Sequence, residues 1–270
     1  MNNYLFTFGA VILYLVCSAL LFSRLRRADK ESASPLSKNK AIIIGLVGLV
    51  LHCSALYGSM INPLGISLGF YNSISLVSAF IVFFTLVATW RYPVEILAVI
   101  FLPIAVIAII LDIVCTTQHL LAPGSSNALI FHILTSIIAY SILALAALQA
   151  VLLSIQNRFL HAHQPGGLIK MMPPLKNMEV LLFEVIVLGF IALTISLGSG
   201  LIFLENMFAQ QIAHKTILSI LAWFVFLTLL IGHWKLGWRG RTAIRWTISG
   251  FISLMLAYFG SKFVLEVLLT

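Results

Sequence analysis

Charge is what this chain has least of. Only 9% of its residues are Asp, Glu, Lys or Arg, against 61% hydrophobic residues. That scarcity excludes an ordinary soluble domain, whose surface needs far more water-facing groups. Also missing is any polar stretch long enough to fold outside lipid. The longest polar intervals run from about residue 24 to 40 and from about 158 to 176, and neither can bury a core of its own. The three cysteines, Cys17, Cys53 and Cys115, stand far apart, with no CxxC pair and no metal-ligand spacing. This disfavours a thiol–disulfide relay and leaves Cys17 and Cys53, inside apolar runs, as reduced structural thiols. No nucleophile motif, phosphate loop, HExxH or catalytic carboxylate pair occurs, so an ordinary hydrolase and an ATP-driven transporter are disfavoured. No internal repeat and no low-complexity tract stands out. The opening MNNYLF lacks a basic region, and the apolar run behind it ends in SRLRR without a small-residue cleavage pattern, so it is expected to stay as a first span.

What is present is apolar sequence in blocks. Eight spans are predicted, at about 4–24, 41–60, 68–90, 95–115, 127–156, 179–203, 214–235 and 243–268. Each is long enough to cross about 30 Å of hydrocarbon at about 1.5 Å per residue. The fold class is therefore all-α: a polytopic membrane bundle of eight transmembrane helices, residues 1–270 forming one integral-membrane domain. Pro93 and Pro103 are placed to kink or shorten the fourth span, and the fifth is long enough to protrude into the cytoplasm. The linker His161-Ala-His-Gln-Pro-Gly-Gly divides the chain near residue 165 into five spans (1–156) and three (179–270).

The net charge of +8 sits in loops, not on a basic face interleaved with aromatics, so nucleic acid is not an expected partner. Arg24, Arg26, Arg27, Lys30, Lys38 and Lys40 flank the first loop. Arg91 lies in the third, Arg158, Lys170 and Lys176 in the fifth, and Lys235, Arg239, Arg241 and Arg245 in or beside the seventh. Lys215 and Lys262 lie near the other face, close enough to span ends to snorkel. Odd loops are thus expected in the cytoplasm and both termini on the outer, periplasmic side of a bacterial inner membrane.

Ionisable groups inside such spans are expensive and mark functional sites. His132, Ser136 and Tyr140 recur every four residues and line one helix stripe that should face the bundle interior. His214 opens the seventh span. Both histidines fall at the outer ends of their helices, at similar depth, where two imidazoles on facing helices can clamp a haem from both sides. The alternatives are an interhelical hydrogen-bond seam at His132 and an interfacial His214. His233 follows His214 by 19 residues on the same helix, roughly 28 Å away, so it belongs to a different site. Its natural partner is His52, although tilt or a shifted boundary has to close about 10 Å of depth between them. A hydrogen-bonded His52 and a snorkelling His233 are the competing readings. His119, His161 and His163 read as solvated loop residues.

Two acidic residues lie inside spans, Asp112 near the outer end of the fourth and Glu184 a turn inside the sixth. They sit at opposite faces, and their spacing supports no carboxylate pair and no proton relay. Glu179 is expected at the cytoplasmic interface, and Glu184 beside the basic seventh loop or Arg245.

The C-terminal third carries a more specific pattern. Gly237 to Arg241 read GWRGR, followed by Gly250-Phe251 and Tyr258-Phe259-Gly260, and preceded by Trp223-Phe-Val-Phe and His233. Phe131-His132 is followed by Ala139-Tyr140. These strings resemble the cytochrome c assembly family (CcsA/CcmC/HemX-like membrane proteins), and within it the small HemX/YpjD-type inner-membrane proteins. The resemblance covers residues 127–270 well and the first 120 loosely. It implies haem handling, with counterparts for His132 at an outward-facing site and for His52 and His233 at a membrane site; His214 falls where the family's tryptophan-rich segment belongs. That segment, WGxxWxWDxxE in fuller members, is replaced here by LENMFAQQIAHKT. The aromatic platform that presents haem to apocytochrome is missing.

The expectation is thus a membrane protein that holds b-type, non-covalent haem between histidines and assists cytochrome c assembly or haem traffic. His132 and His214 would be its iron ligands at an outer site, and His52 and His233 at an inner one. Its partners would be the bilayer, haem and cytochrome c assembly or other membrane proteins. The alternative is a haem-free scaffold or accessory subunit of a transporter that keeps the family fold.

Overall fold

The computed structural model describes residues 2–28, 37–62, 65–115, 127–162, 172–203 and 213–260. Among these residues the chain forms eight α-helices: α1 (Asn2–Ala28), α2 (Lys38–Met60), α3 (Phe70–Arg91), α4 (Glu95–Val114), α5 (Asn127–His161), α6 (Leu175–Phe203), α7 (Ala213–Leu236) and α8 (Gly240–Met255). A small antiparallel pairing, β1 (Ile61–Asn62) with β2 (Gly65–Ile66), follows α2. Helix is the form that satisfies every backbone N–H and C=O within one segment, which lipid demands. Seven of the helices, α1 to α7, are long and apolar enough to cross a membrane. Their outward faces carry Leu5, Val50, Ile107, Ile202 and Leu236 exposed, as suits contact with acyl chains.

The eighth expected span is described only in part. Only 16 residues of α8 are α-helical, about 24 Å, before a π-helical turn at Leu256–Gly260. Residues 261–268 of the expected span lie outside the described residues, Lys262 among them.

The described helices form two compact units of four. The first unit holds α1 to α4 and the second α5 to α8. The linker near residue 165 does not set this division. Helix α5 buries Ile137, Leu143, Ala146 and Leu153 by packing on α6 and α8, so it belongs with the helices that follow it.

In the first unit each helix meets two neighbours, α1 with α2, α2 with α3, α3 with α4 and α4 with α1. Tyr14, Leu21, Leu49, Leu86 and Leu102 fill the centre. A Cβ at Gly48 would stand 2.9 Å from the Tyr14 ring, so the glycine is what lets α2 approach α1. Pro103 sits inside α4 without ending it. Proline has no N–H to give the carbonyl four residues back, and the Ser18 hydroxyl of α1 donates to Val99 O at 3.0 Å instead. At the far end of the unit Arg24 Nε and Lys38 Nζ lie 3.8 and 3.9 Å from Glu95 Oε1.

The second unit closes the same way, α5 with α6, α6 with α7, α7 with α8 and α8 with α5. Helix α5 has 35 residues, about 52 Å, well beyond the thickness of the hydrocarbon. Its Gln149 Nε2 donates to Met178 O at 3.0 Å, fixing α5 against the start of α6.

Candidate functional site

The stripe of His132, Ser136 and Tyr140 lines a cavity of about 230 Å³ between α5, α6, α7 and the end of α8. Helix α6 supplies Ser196, and α7 supplies Lys215, Thr216 and Ser219. His132 Nδ1 lies 3.0 Å from Ser196 O and 3.1 Å from Ser199 Oγ. A carbonyl can only accept, so Nδ1 carries the proton and Nε2 keeps its lone pair. Nε2 has no hydrogen-bond partner among the described residues. Ser136 Oγ bonds Ser196 Oγ at 2.7 Å and donates to His132 O at 2.7 Å. The stripe is thus a hydrogen-bonded seam that also orients an imidazole with one nitrogen to spare. Tyr140 closes the cavity floor, its ring 5.3 Å from Phe251 and 5.5 Å from Tyr258.

His214 stands in the first turn of α7, immediately before Lys215 and Thr216 of that cavity wall. Its side chain lies outside the described residues.

At the other end of α7 the GWRGR string builds a second histidine position. Gly237 and Gly240 take φ of +67° and +53°, the left-handed region that favours glycine. The turn brings Trp238 back over α7, where a Cβ at Gly232 would meet its indole at 2.4 Å. The Trp238 carbonyl then accepts from His233 Nδ1 at 2.9 Å. Phe183 of α6 stacks on the imidazole, ring centres 3.5 Å apart and planes 15° from parallel. Again Nδ1 carries the proton, and Nε2 is without a partner among the described residues. His233 lines a groove of about 610 Å³ along α6, walled by Val180, Val187 and Ile191, with Lys176, Glu184 and Arg239 among its polar groups. Glu179, expected at the interface, anchors the start of α8, where its Oε1 accepts from Gly240 N at 2.9 Å.

His52, in the first unit, is 1% exposed, and both of its ring nitrogens are engaged. Nδ1 lies 3.2 Å from the Tyr14 hydroxyl and Nε2 3.0 Å from Ser75 Oγ. Ligating iron would cost it one of these bonds, so this histidine does not fit the expected ligand role as it stands. His161 is exposed, with Nδ1 donating to Asn157 O at 2.9 Å. His119 and His163 lie outside the described residues.

Haem needs one or two axial imidazoles and an apolar slot, not a cage of three or more ligands, and no such cage occurs among the described residues. In donor set and space, His233 fits: a free, oriented Nε2 beside a groove within the roughly 300–1,000 Å³ usual for cofactor sites. His132 fits in donor chemistry, but its cavity of about 230 Å³ would take only part of a macrocycle. Both histidines stand out in the sequence, whereas the groups that orient them do not. Ser196 and Ser199 are set by packing between helices and the Trp238 carbonyl by the turn after α7, neither of which spacing along one helix reveals.

A family model described as cytochrome C assembly protein matches residues 40–269. The chain is 32% identical over 238 residues to the inner membrane protein YpjD of Escherichia coli, covering 86% of this chain and 88% of that one. It is 28% identical over 143 residues to the cytochrome c biogenesis protein CcsA of Chlamydomonas reinhardtii, covering 52% of this chain and 39% of that one. An uncharacterized 28.8 kDa protein of Azospirillum brasilense is 33% identical over 140 residues, with 51% and 52% covered. No solved structure matches.

Proposed function

Because this chain belongs to the cytochrome c assembly protein family, we propose that it holds b-type haem non-covalently in the inner membrane and serves cytochrome c assembly or haem traffic. The observation that carries this reading is shared by two histidines. His132 and His233 each have Nδ1–H tied to a backbone carbonyl, of Ser196 and Trp238 respectively, and each keeps Nε2 for a ligand beside a cavity. That carbonyl bond is the usual outer-shell partner that fixes tautomer and ring direction in metal-ligating histidine.

In this reading His233 is the axial ligand of a site on the α6 groove. Val180, Val187 and Ile191 supply the low-dielectric wall, Phe183 holds the imidazole plane, and Lys176 and Arg239 offer positive charge for haem carboxylates. His132 is the ligand at the other end of the unit, with His214 as its partner from α7. The place of Lys215 and Thr216 in the cavity wall supports that pairing. His52 is left out of the ligand set. Haem, when bound, brings its own redox chemistry, and the chain contributes ligation, orientation and exclusion of water. The termini are proposed to face the periplasm, from the alternation of basic loops.

An absorbance spectrum of the protein purified in detergent from haem-replete cells tests the proposal. The expected result is a Soret band with sharp reduced α and β bands, diminished in His233→Ala and in His132→Ala. A colourless protein overturns haem binding and leaves a haem-free scaffold of the family fold.

A further inference from the structure

The first unit contains a hydrogen-bonded track that the haem reading does not use. Tyr14, His52, Ser75 and Asp112 come one each from α1, α2, α3 and α4. The Tyr14 hydroxyl meets His52 Nδ1 at 3.2 Å and His52 Nε2 meets Ser75 Oγ at 3.0 Å, while Ser75 and Asp112 line one cavity. Asp112 Oδ1 is buried without a hydrogen-bond partner among the described residues. Asp112, Ser75 and His52 line a cavity of about 220 Å³ together with Asn3, Thr7 and Ser59, polar and roomy enough for several waters at about 30 Å³ each.

The four groups also descend in order from the end of the unit where this cavity lies. Asp112 is two residues from the end of α4 at Val114, Ser75 five from the start of α3 at Phe70, His52 eight from the end of α2 at Met60, and Tyr14 twelve from the start of α1 at Asn2. At about 1.5 Å per residue these are depths of roughly 3, 8, 12 and 18 Å. Beyond Tyr14 the track stops. Cys17 Sγ donates to Ala41 O at 3.1 Å and Ser18 Oγ to Val99 O at 3.0 Å, so the next polar groups on α1 are spent on backbone carbonyls.

We propose that this track is a proton-uptake site: protons enter from the cavity at Asp112, pass through Ser75 and are held on His52 beneath it. The transfer balances without any further reactant. A proton from water in the cavity first neutralises the Asp112 carboxylate. In the starting arrangement the carboxyl O–H donates to Ser75 Oγ, the Ser75 O–H donates to Nε2, and Nδ1–H donates to the Tyr14 oxygen. The carboxyl proton then moves to Ser75 Oγ while the Ser75 proton moves to Nε2. Asp112 ends as a carboxylate accepting from Ser75, and His52 as an imidazolium donating to Ser75 and Tyr14. The site loads from one end and conducts nothing across the membrane. The titratable groups facing it are Tyr14 and Cys17 from α1, Cys53 on α2 itself, and Asp112 from α4, with Tyr4 at the cavity wall. Helix α3 brings hydroxyls there, Ser75 and its neighbour Ser78, and no Lys or Arg lines the cavity among the described residues.

The test uses the full, haem-free chain in lipid nanodiscs with ¹⁵N-histidine, the His52 ring signals being assigned from their loss in His52→Gln. The rate at which His52 Nε2 passes between its proton-free and protonated states, read from the ¹⁵N line shape of that nitrogen, is the readout. It is expected to be at least tenfold slower in Asp112→Asn and in Ser75→Ala, to recover in Asp112→Glu, and to stay unchanged in Ser59→Ala at the same cavity. An unchanged rate in Asp112→Asn overturns the proposal, as does equal slowing in Ser59→Ala, which would mean a general change in packing. If Ser75→Ala does not fold, the aspartate series alone decides. Because no haem is present, this outcome is independent of the haem spectrum.

Discussion

A histidine's use depends on what its Nδ1 meets, and the three histidines that are buried or half-buried among the described residues divide on that point. His132 and His233 give Nδ1–H to carbonyls, while His52 is held at both nitrogens by hydroxyls. For His233 the carbonyl is delivered by a turn that depends on Gly232. A methyl group there would stand 2.4 Å from the Trp238 indole, so Gly232→Ala must push the tryptophan off α7 and loosen its carbonyl from the imidazole. The expected cost is about 1–3 kcal/mol, as for other overpacked positions. It would be read as a drop of several degrees in the detergent melting midpoint, together with a weakened His233-dependent haem band. Gly198→Ala in α6 is the comparison. A Cβ there meets nothing within 4 Å, so the helix-propensity gain of up to about 1 kcal/mol leaves the midpoint equal or higher. Equal losses in the two variants would dismiss the close-approach argument. The identities of His132 and His233 were legible because ionisable residues stand out in apolar sequence. Their tautomers were not, because Ser196 is 64 residues from His132 and only packing brings the two together. The Asp112 track was illegible for the same reason, since its four members come from four helices.

Helix positions were far easier to read. Composition alone places the starts and ends of α1 to α7 within a few residues of those observed, since a chain in lipid has little choice but helix where it is continuously apolar. What composition does not give is how a flaw inside a helix is repaired. Pro103 was expected to kink or shorten the fourth span; α4 runs from Glu95 to Val114 with the proline inside it, and Ser18 of a neighbouring helix serves the Val99 carbonyl. A double-mutant cycle isolates this repair. Ser18→Ala leaves a buried carbonyl unserved and should cost about 0.5–2 kcal/mol. Pro103→Ala restores the helix's own N–H to that carbonyl, so in its presence Ser18→Ala should cost close to nothing. Denaturation midpoints of the four proteins measure it; strictly additive losses would show that the serine does not repair the proline. The same logic limits α8. Its start is fixed by Glu179 and the glycines of the GWRGR string, features that were visible as a motif but not as a cap.

For the whole chain, the sequence and the structure inform different things. Grouping into α1–α4 and α5–α8 is decided by which faces α5 buries, and the conspicuous Pro-Gly linker near residue 165 points elsewhere. Insertion is decided by where the cations stand. Arg24, Arg26 and Arg27 stand in the last turns of α1 and Lys38 and Lys40 in the first of α2, Arg158 in the last turn of α5 and Lys176 in the first of α6, and Lys235, Arg239 and Arg241 at the junction of α7 and α8. A Lys or Arg near a span end resists translocation, at about 2.5–3.5 kcal/mol for each one drawn into the bilayer centre, so these loops should remain inside together. The consequence is a fixed pattern of reporters. An exported phosphatase fused after Thr270 should be active, and the same enzyme fused after Arg27, His161 or Arg241 should be inactive. A fluorescent protein that matures only in the cytoplasm should give the reverse. Phosphatase activity after His161 alone would break the alternation at α5, the helix that also joins the second unit. Activity at all three inner positions would invert the chain, placing the His233 groove outside and the His132 cavity inside.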